Sequence, residues 1–184
     1  MDKKLVVYVL AALVATALLF ALAANPPRGT SQPAAPPMAG HEEFHAHFDF
    51  KLFVDGQPVD LSQERFQAVE GHELSEDVHL HDHDGNVVHL HNEGVTVDQF
   101  LDSLGLSQEG KKVRTFVNGE ETPRGLAYQF KDLDRVLVSV GASTDEEIVQ
   151  QLASVTDRAC IYSEKCPERG KPPTETCVGQ CKIG

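Results

Sequence analysis

The residues of this sequence best suited to chemistry are its histidines, and their spacing is regular. The 184-residue chain has nine, all between His41 and His91. Three His-x-His pairs recur: His45/His47, His79/His81 and His89/His91. In a strand, a period of two puts both rings of a pair on one face, with Cα atoms about 6.5–7 Å apart. Imidazoles so spaced can converge on one ion at nitrogen–metal distances of about 2.0–2.1 Å. Neutral imidazole suits zinc, copper, nickel and iron, and Cu(II) heads the affinity order at a nitrogen site. His83 adds a further ring to the strand of His79 and His81, at its loop end. Asp82, Asp84 and Glu93 offer oxygen ligands or acceptors for ring N–H groups. An exposed polar strand face would account for one such pair. Three pairs, two of them facing each other, point to a transition-metal site, copper or zinc. A pH-sensing face is the remaining use of rings that titrate near neutrality. His41 and His72 fall in linker and loop and read as solvated. Asp82-His83-Asp84-Gly85-Asn86 lacks the alternating oxygen ligands and terminal Glu of a calcium loop.

The elements that must position these rings follow from the apolar pattern. Residues 78–91 (VHLHDHDGNVVHLH) alternate on both sides of Asp84-Gly85. Opposed residues of an antiparallel pair share a face. Matching Val78 and Leu80 to Val88 and Leu90 then pairs His81 with His89 and His79 with His91. A one-residue slip would bury imidazoles and expose valines, so the pattern specifies the face. Upstream, Phe44, Ala46, Phe48, Phe50, Leu52 and Val54 fall on one face of a strand, with His45, His47, Asp49 and Lys51 on the other. Asp55-Gly56 is a hairpin turn, followed by a short strand around Pro58 to Leu61. His79, His81, His89 and His91 are then the expected metal ligands, and His45 and His47 join them only if their strand lies beside the hairpin, polar face on the same side. Ser62 to Glu76 reads as loop with one helical turn.

Thr96-Val97-Asp98-Gln99 fits a capping box, with Val97, Phe100, Leu101 and Leu104 at helical spacing and Gly105 placed to end the helix. Lys112 to Val117 reads as a strand, Asn118-Gly119 as a turn and Arg135 to Val140 as a buried strand. A last helix opens at Ser143 or Thr144, with Ile148, Leu152 and Val155 as its stripe. The sum is an α+β domain: a mixed sheet, one crossing helix, an added N-terminal β-hairpin, a C-terminal helix and a Cys-rich tail.

Residues 96–140 (TVDQFLDSLG, VRTFVNGEETPR, FKDLDRVLVSVG) resemble the second half of the small sulfur-carrier proteins of the ubiquitin-like β-grasp fold. The resemblance implies a β-grasp-like sheet in which 78–91 is the first hairpin and 44–61 the added one. It does not imply sulfur-carrier activity, which needs a free C-terminal Gly-Gly; here Gly141 is followed by Ala142, Ser143 and the tail. The whole chain is similar to uncharacterised exported, membrane-anchored His-rich bacterial proteins, some labelled disulfide-isomerase-like. Thiol exchange of the thioredoxin kind uses Cys-x-x-Cys opening a helix, and the sequence has none.

Composition sets the surroundings. Lys and Arg number 16 against 28 Asp and Glu, a net charge of -12. Such a surface repels phosphate backbones, which excludes nucleic acid as a partner, and draws in cations. Residues 5–24 carry no charge, and twenty apolar residues at about 1.5 Å each span a bilayer core of about 30 Å. Residues 1–24 therefore read as a signal anchor with the remainder extracytoplasmic, or as a secretory signal cleaved near Ala21-Leu22-Ala23. Residues 25–40 are a Pro-rich linker, 41–156 the His-rich domain and 157–184 the Cys-rich tail. In an oxidising compartment Cys160, Cys166, Cys177 and Cys181 read as two disulfides with three possible pairings. No G-x-S-x-G elbow or glycine-rich phosphate loop is present. Three function classes follow: a membrane-tethered metal-binding protein for capture, buffering or delivery; an enzyme, either a His-ligated metalloenzyme or a thiol–disulfide oxidoreductase; and a module that docks another envelope protein.

Overall fold

Alternation along one strand decides what each face of the sheet carries. In the computed structural model, which describes residues 44–69, 72 and 74–174, strand β1 (Ala46–Val54) lies at the centre of a seven-stranded mixed sheet. β2 (Gln57–Pro58) folds back on β1 across Asp55 and Gly56, whose φ values of 48° and 76° are those of a tight hairpin turn. β3 (Val78–His79), β4 (Val87–Leu90), β5 (Val113–Val117), β6 (Glu120–Glu121) and β7 (Arg135–Val140) complete the sheet in the order β3-β4-β1-β7-β5-β6. β1 is antiparallel to β4 and parallel to β7. The N-terminal hairpin is thus present, and its first strand runs between the histidine hairpin and the last strand.

Phe48, Phe50 and Leu52 of β1, Val88 and Leu90 of β4, and Val136 and Val138 of β7 are buried together on one face. Helix α1 (Val97–Ser103) closes that face with Val97, Phe100 and Leu101. Its N-terminus is a full capping box: the Gln99 amide donates to Thr96 Oγ1, and the Thr96 amide donates to Gln99 Oε1. Phe50 and Phe100 meet edge to face at 5.0 Å, and Phe48 stacks on Phe130 at 3.9 Å. Each buried side chain of this size contributes about 1.5–3 kcal/mol, so this face holds the domain together. The expected loop at 62–76 takes its one helical turn as a 3-10 turn at Glu64–Phe66, and it also buries Phe66 and Ala68.

The opposite face is divided. Under helix α2 (Asp145–Ser154), Phe53, Phe116, Leu137, Ile148 and Val155 form a smaller apolar cluster. Beside it, helix α3 (Ala159–Tyr162) is pinned to β1 by Asp49, which is 1% exposed. The Asp49 carboxylate accepts from the Arg158 amide at 2.9 Å, the Ala159 amide at 3.0 Å and the Thr156 hydroxyl. These bonds satisfy the orphan donors at the start of α3 and set the tail against the sheet. The start of the Cys-rich tail therefore packs on the domain, with Ala159 and Cys166 buried. Among the described residues no helix is long and apolar enough to cross a membrane. The expected anchor, the Pro-rich linker, His41, Cys177 and Cys181 lie outside the described residues.

Candidate metal centre

The rest of that second face is histidine. β4 sits between β3 and β1, with His89 opposite His79 on one side and His47 on the other. The hairpin register differs by two residues from the expected pairing of His79 with His91. The apolar pattern fixes only which face a residue takes, and a shift of two preserves it. The turn chose the offset. Asp82 and His83 both adopt left-handed backbone, at φ 56° and 57°, and Asp84 Oδ1 accepts from the Asn86 and Val87 amides.

Six rings from three adjacent strands therefore share one surface. His47, His79, His81 and His89 are buried, His91 is half-buried and His45 is exposed. Ring centroids lie 4.6 Å apart for His45 and His47, 4.6 Å for His47 and His89, and 5.9 Å for His45 and His89. Two imidazoles bound to one tetrahedral ion at about 2.0–2.1 Å have centroids about 5 Å apart. One nitrogen from each of His45, His47 and His89 lies within 4.8 Å of the other two, so this triad could hold a metal ion. His91 stacks between His45 and His79, 4.9 Å from each. His83 stands apart from these rings at the turn, on the cleft that His81 and His89 also line. The left-handed turn ends the alternation before it, and its exposed ring lies 3.4 Å from the Ser62 carbonyl. His72 is exposed.

Three of the buried rings are oriented by their Nδ1 atoms. His79 Nδ1 lies 2.9 Å from the Ser75 carbonyl, and His81 Nδ1 lies 2.7 Å from Asp82 Oδ2. Both oxygens only accept, so Nδ1 carries the proton and the lone pair sits on Nε2. His47 Nδ1 lies 2.9 Å from Ser163 Oγ, whose hydroxyl donates to Asp132 at 2.7 Å, which assigns His47 the same tautomer. Burial pushes the Asp132 carboxyl up, but Lys165, the His47 amide and Ser163 together hold it below the usual carboxylate range. An ionised carboxylate behind a hydroxyl behind an imidazole is the kind of outer support that orients metal-binding histidines.

The residues that supply this support were not legible as site residues. Tyr162, on α3, sets its ring 5.6 Å from His47 and 5.9 Å from His89, and its hydroxyl donates to Asp84 at 2.8 Å. Burial raises Asp84, and the bonds from Tyr162 and Asn86 with the Arg158 charge more than reverse that. Tyr162, Ser163 and Lys165 all fall inside the loop closed by the Cys160–Cys166 disulfide. Only the cysteines marked that loop in the sequence; nothing periodic tied Tyr162, Ser163 or Asp132 to the histidines.

Crowding and burial favour the neutral form of His89 and His91. Burial, reinforced by the neighbouring imidazoles, holds His89 well below its ordinary value and His91 at about 4. In the unfolded chain both titrate near pH 6.5. Below that pH the unfolded state binds more protons, so native stability falls as pH drops from about 6.5 towards about 4. Thermal melts of the metal-free protein should show a melting temperature that is level above pH 7 and declines between pH 6.5 and 5, before most carboxylates protonate. A profile flat over that interval would mean that the folded rings protonate freely.

No family model, curated protein or solved structure matches the chain.

Proposed function

We propose that this protein binds a divalent transition ion, copper or zinc, on the histidine face, to capture, buffer or deliver it outside the cytoplasm. The observation that carries this reading is the convergence of nitrogens from His45, His47 and His89 within 4.8 Å. The Ser163–Asp132 chain behind His47 supports it, because it presents Nε2 as the donor atom. The described residues contain no methionine, and their two cysteines are paired with each other. An all-imidazole set of this kind favours Cu(II) or Zn(II) over Cu(I), which prefers sulfur. The net charge of -12 raises the local cation concentration. The disulfide fits an oxidising compartment, and the apolar segment 5–24 would tether the domain there.

The test is metal content by mass spectrometry on the full-length chain, purified without a His tag and equilibrated with Zn(II) or Cu(II). Retention of an ion by the wild type and its loss from the His45→Gln/His47→Gln/His89→Gln variant is the expected result. Equal metal in both, or none in either, would refute the reading.

A further inference from the structure

Burying four imidazoles on one sheet face is costly unless something binds them, and the triad uses only two of the four, His47 and His89. The other two, His79 and His81, show the same preparation. Each has its proton fixed on Nδ1 by an acceptor, the Ser75 carbonyl and the Asp82 carboxylate. Each therefore presents Nε2, and Nε2 of His81 is buried with no hydrogen-bond partner among the described residues. Their centroids are 5.7 Å apart, near the separation expected of two rings on one ion. His81 and His89 are only 3.8 Å apart, too close for an ion to lie between them. His89 thus serves as a wall between the triad and this pair. A cleft of about 450 Å³, lined in part by His81, His89, Asp82 and Tyr162, opens beside it.

The geometry points to a second ion site on the β3 side of the same face, held by Nε2 of His79 and His81. The inference rests on the reading of the face as metal-binding, and it adds a distinct ion to the one on the triad. Its ligand set is incomplete by one or two positions, and the cleft gives an exchangeable donor, such as water or a carboxylate of an incoming ligand, access to them. An ion held by two protein nitrogens is released more readily than one held by three, so the pair is the place from which an ion would leave for an acceptor.

The deciding measurement is Zn(II) stoichiometry of the full-length chain by chelator competition and mass spectrometry, with circular dichroism to show that each variant folds. The wild type should hold about two ions, with His45→Gln/His47→Gln and His79→Gln/His81→Gln each losing about one. Asp82 is exposed, so Asp82→Asn leaves packing intact; it should weaken only the looser ion, by about tenfold to a hundredfold. A single ion that is lost in the first pair variant and kept in the second would overturn the second site and leave the triad standing. A single ion lost in both would mean one shared site and would also overturn it. No ion in the wild type would remove both readings.

Discussion

His89→Leu should make the metal-free protein more stable and remove most of the triad's affinity for metal. His89 is 1% exposed at the centre of the six rings, and burial holds it neutral. Leucine has a similar volume and no polar atoms to desolvate, so the apo protein should gain about 1–2 kcal/mol. Each ligand of a tight zinc site contributes several kcal/mol, so losing one of three nitrogens should lower Zn(II) affinity by at least about a hundredfold. The two effects have opposite signs, which separates function from packing. Urea denaturation in EDTA and chelator competition on the same preparation would measure both. A less stable variant with unchanged zinc affinity would identify His89 as a core residue and refute its role as a ligand.

Opening the Cys160–Cys166 disulfide should loosen the site at a distance from every ligand. The bond closes a short loop, with a sequence separation of 6, so chain entropy gives it about 2 kcal/mol. Its larger role is to hold Ser163 behind His47 and Tyr162 beside His47 and His89. Loss of such outer support typically costs about tenfold to a hundredfold in metal affinity. The Cys160→Ser/Cys166→Ser variant should therefore bind Zn(II) about that much more weakly. Ser163→Ala, which leaves the disulfide in place, should reproduce most of the loss in affinity with little loss of stability. If the serine variant binds zinc as the wild type does, the hydroxyl does not orient His47, and the disulfide braces the fold only.

Much of the site could be read in the sequence because strand periodicity is local. Two-residue alternation put His45, His47, His79, His81, His89 and His91 on polar faces, and the apolar partners between them fixed which faces those were. The same logic placed the capping box at Thr96 and the turn at Asp55-Gly56. It failed at His83, where two successive left-handed residues end the alternation, because a Asp-His-Asp-Gly run does not announce which of its residues will turn. It also left the hairpin offset open, since registers two residues apart satisfy the apolar pattern equally well.

Local pattern was thus enough to establish an α+β domain with histidine-bearing strands, an acidic composition and cysteines beyond the helix that opens at Thr144. Tertiary structure decided the rest. The condition that β1 lie beside the histidine hairpin with its polar face on the same side is met by the pairing of β1 with β4, a long-range contact that no local pattern encodes. That pairing makes His89 the centre of the array and brings His45 and His47 to it. Asp49, in turn, captures the amides at the start of α3 across more than a hundred residues of chain. Through that capture the Cys160–Cys166 loop delivers Tyr162 and Ser163 to the rings. Local periodicity chooses a side chain's face; which faces meet depends on burying apolar area and satisfying buried polar groups over the whole fold at once.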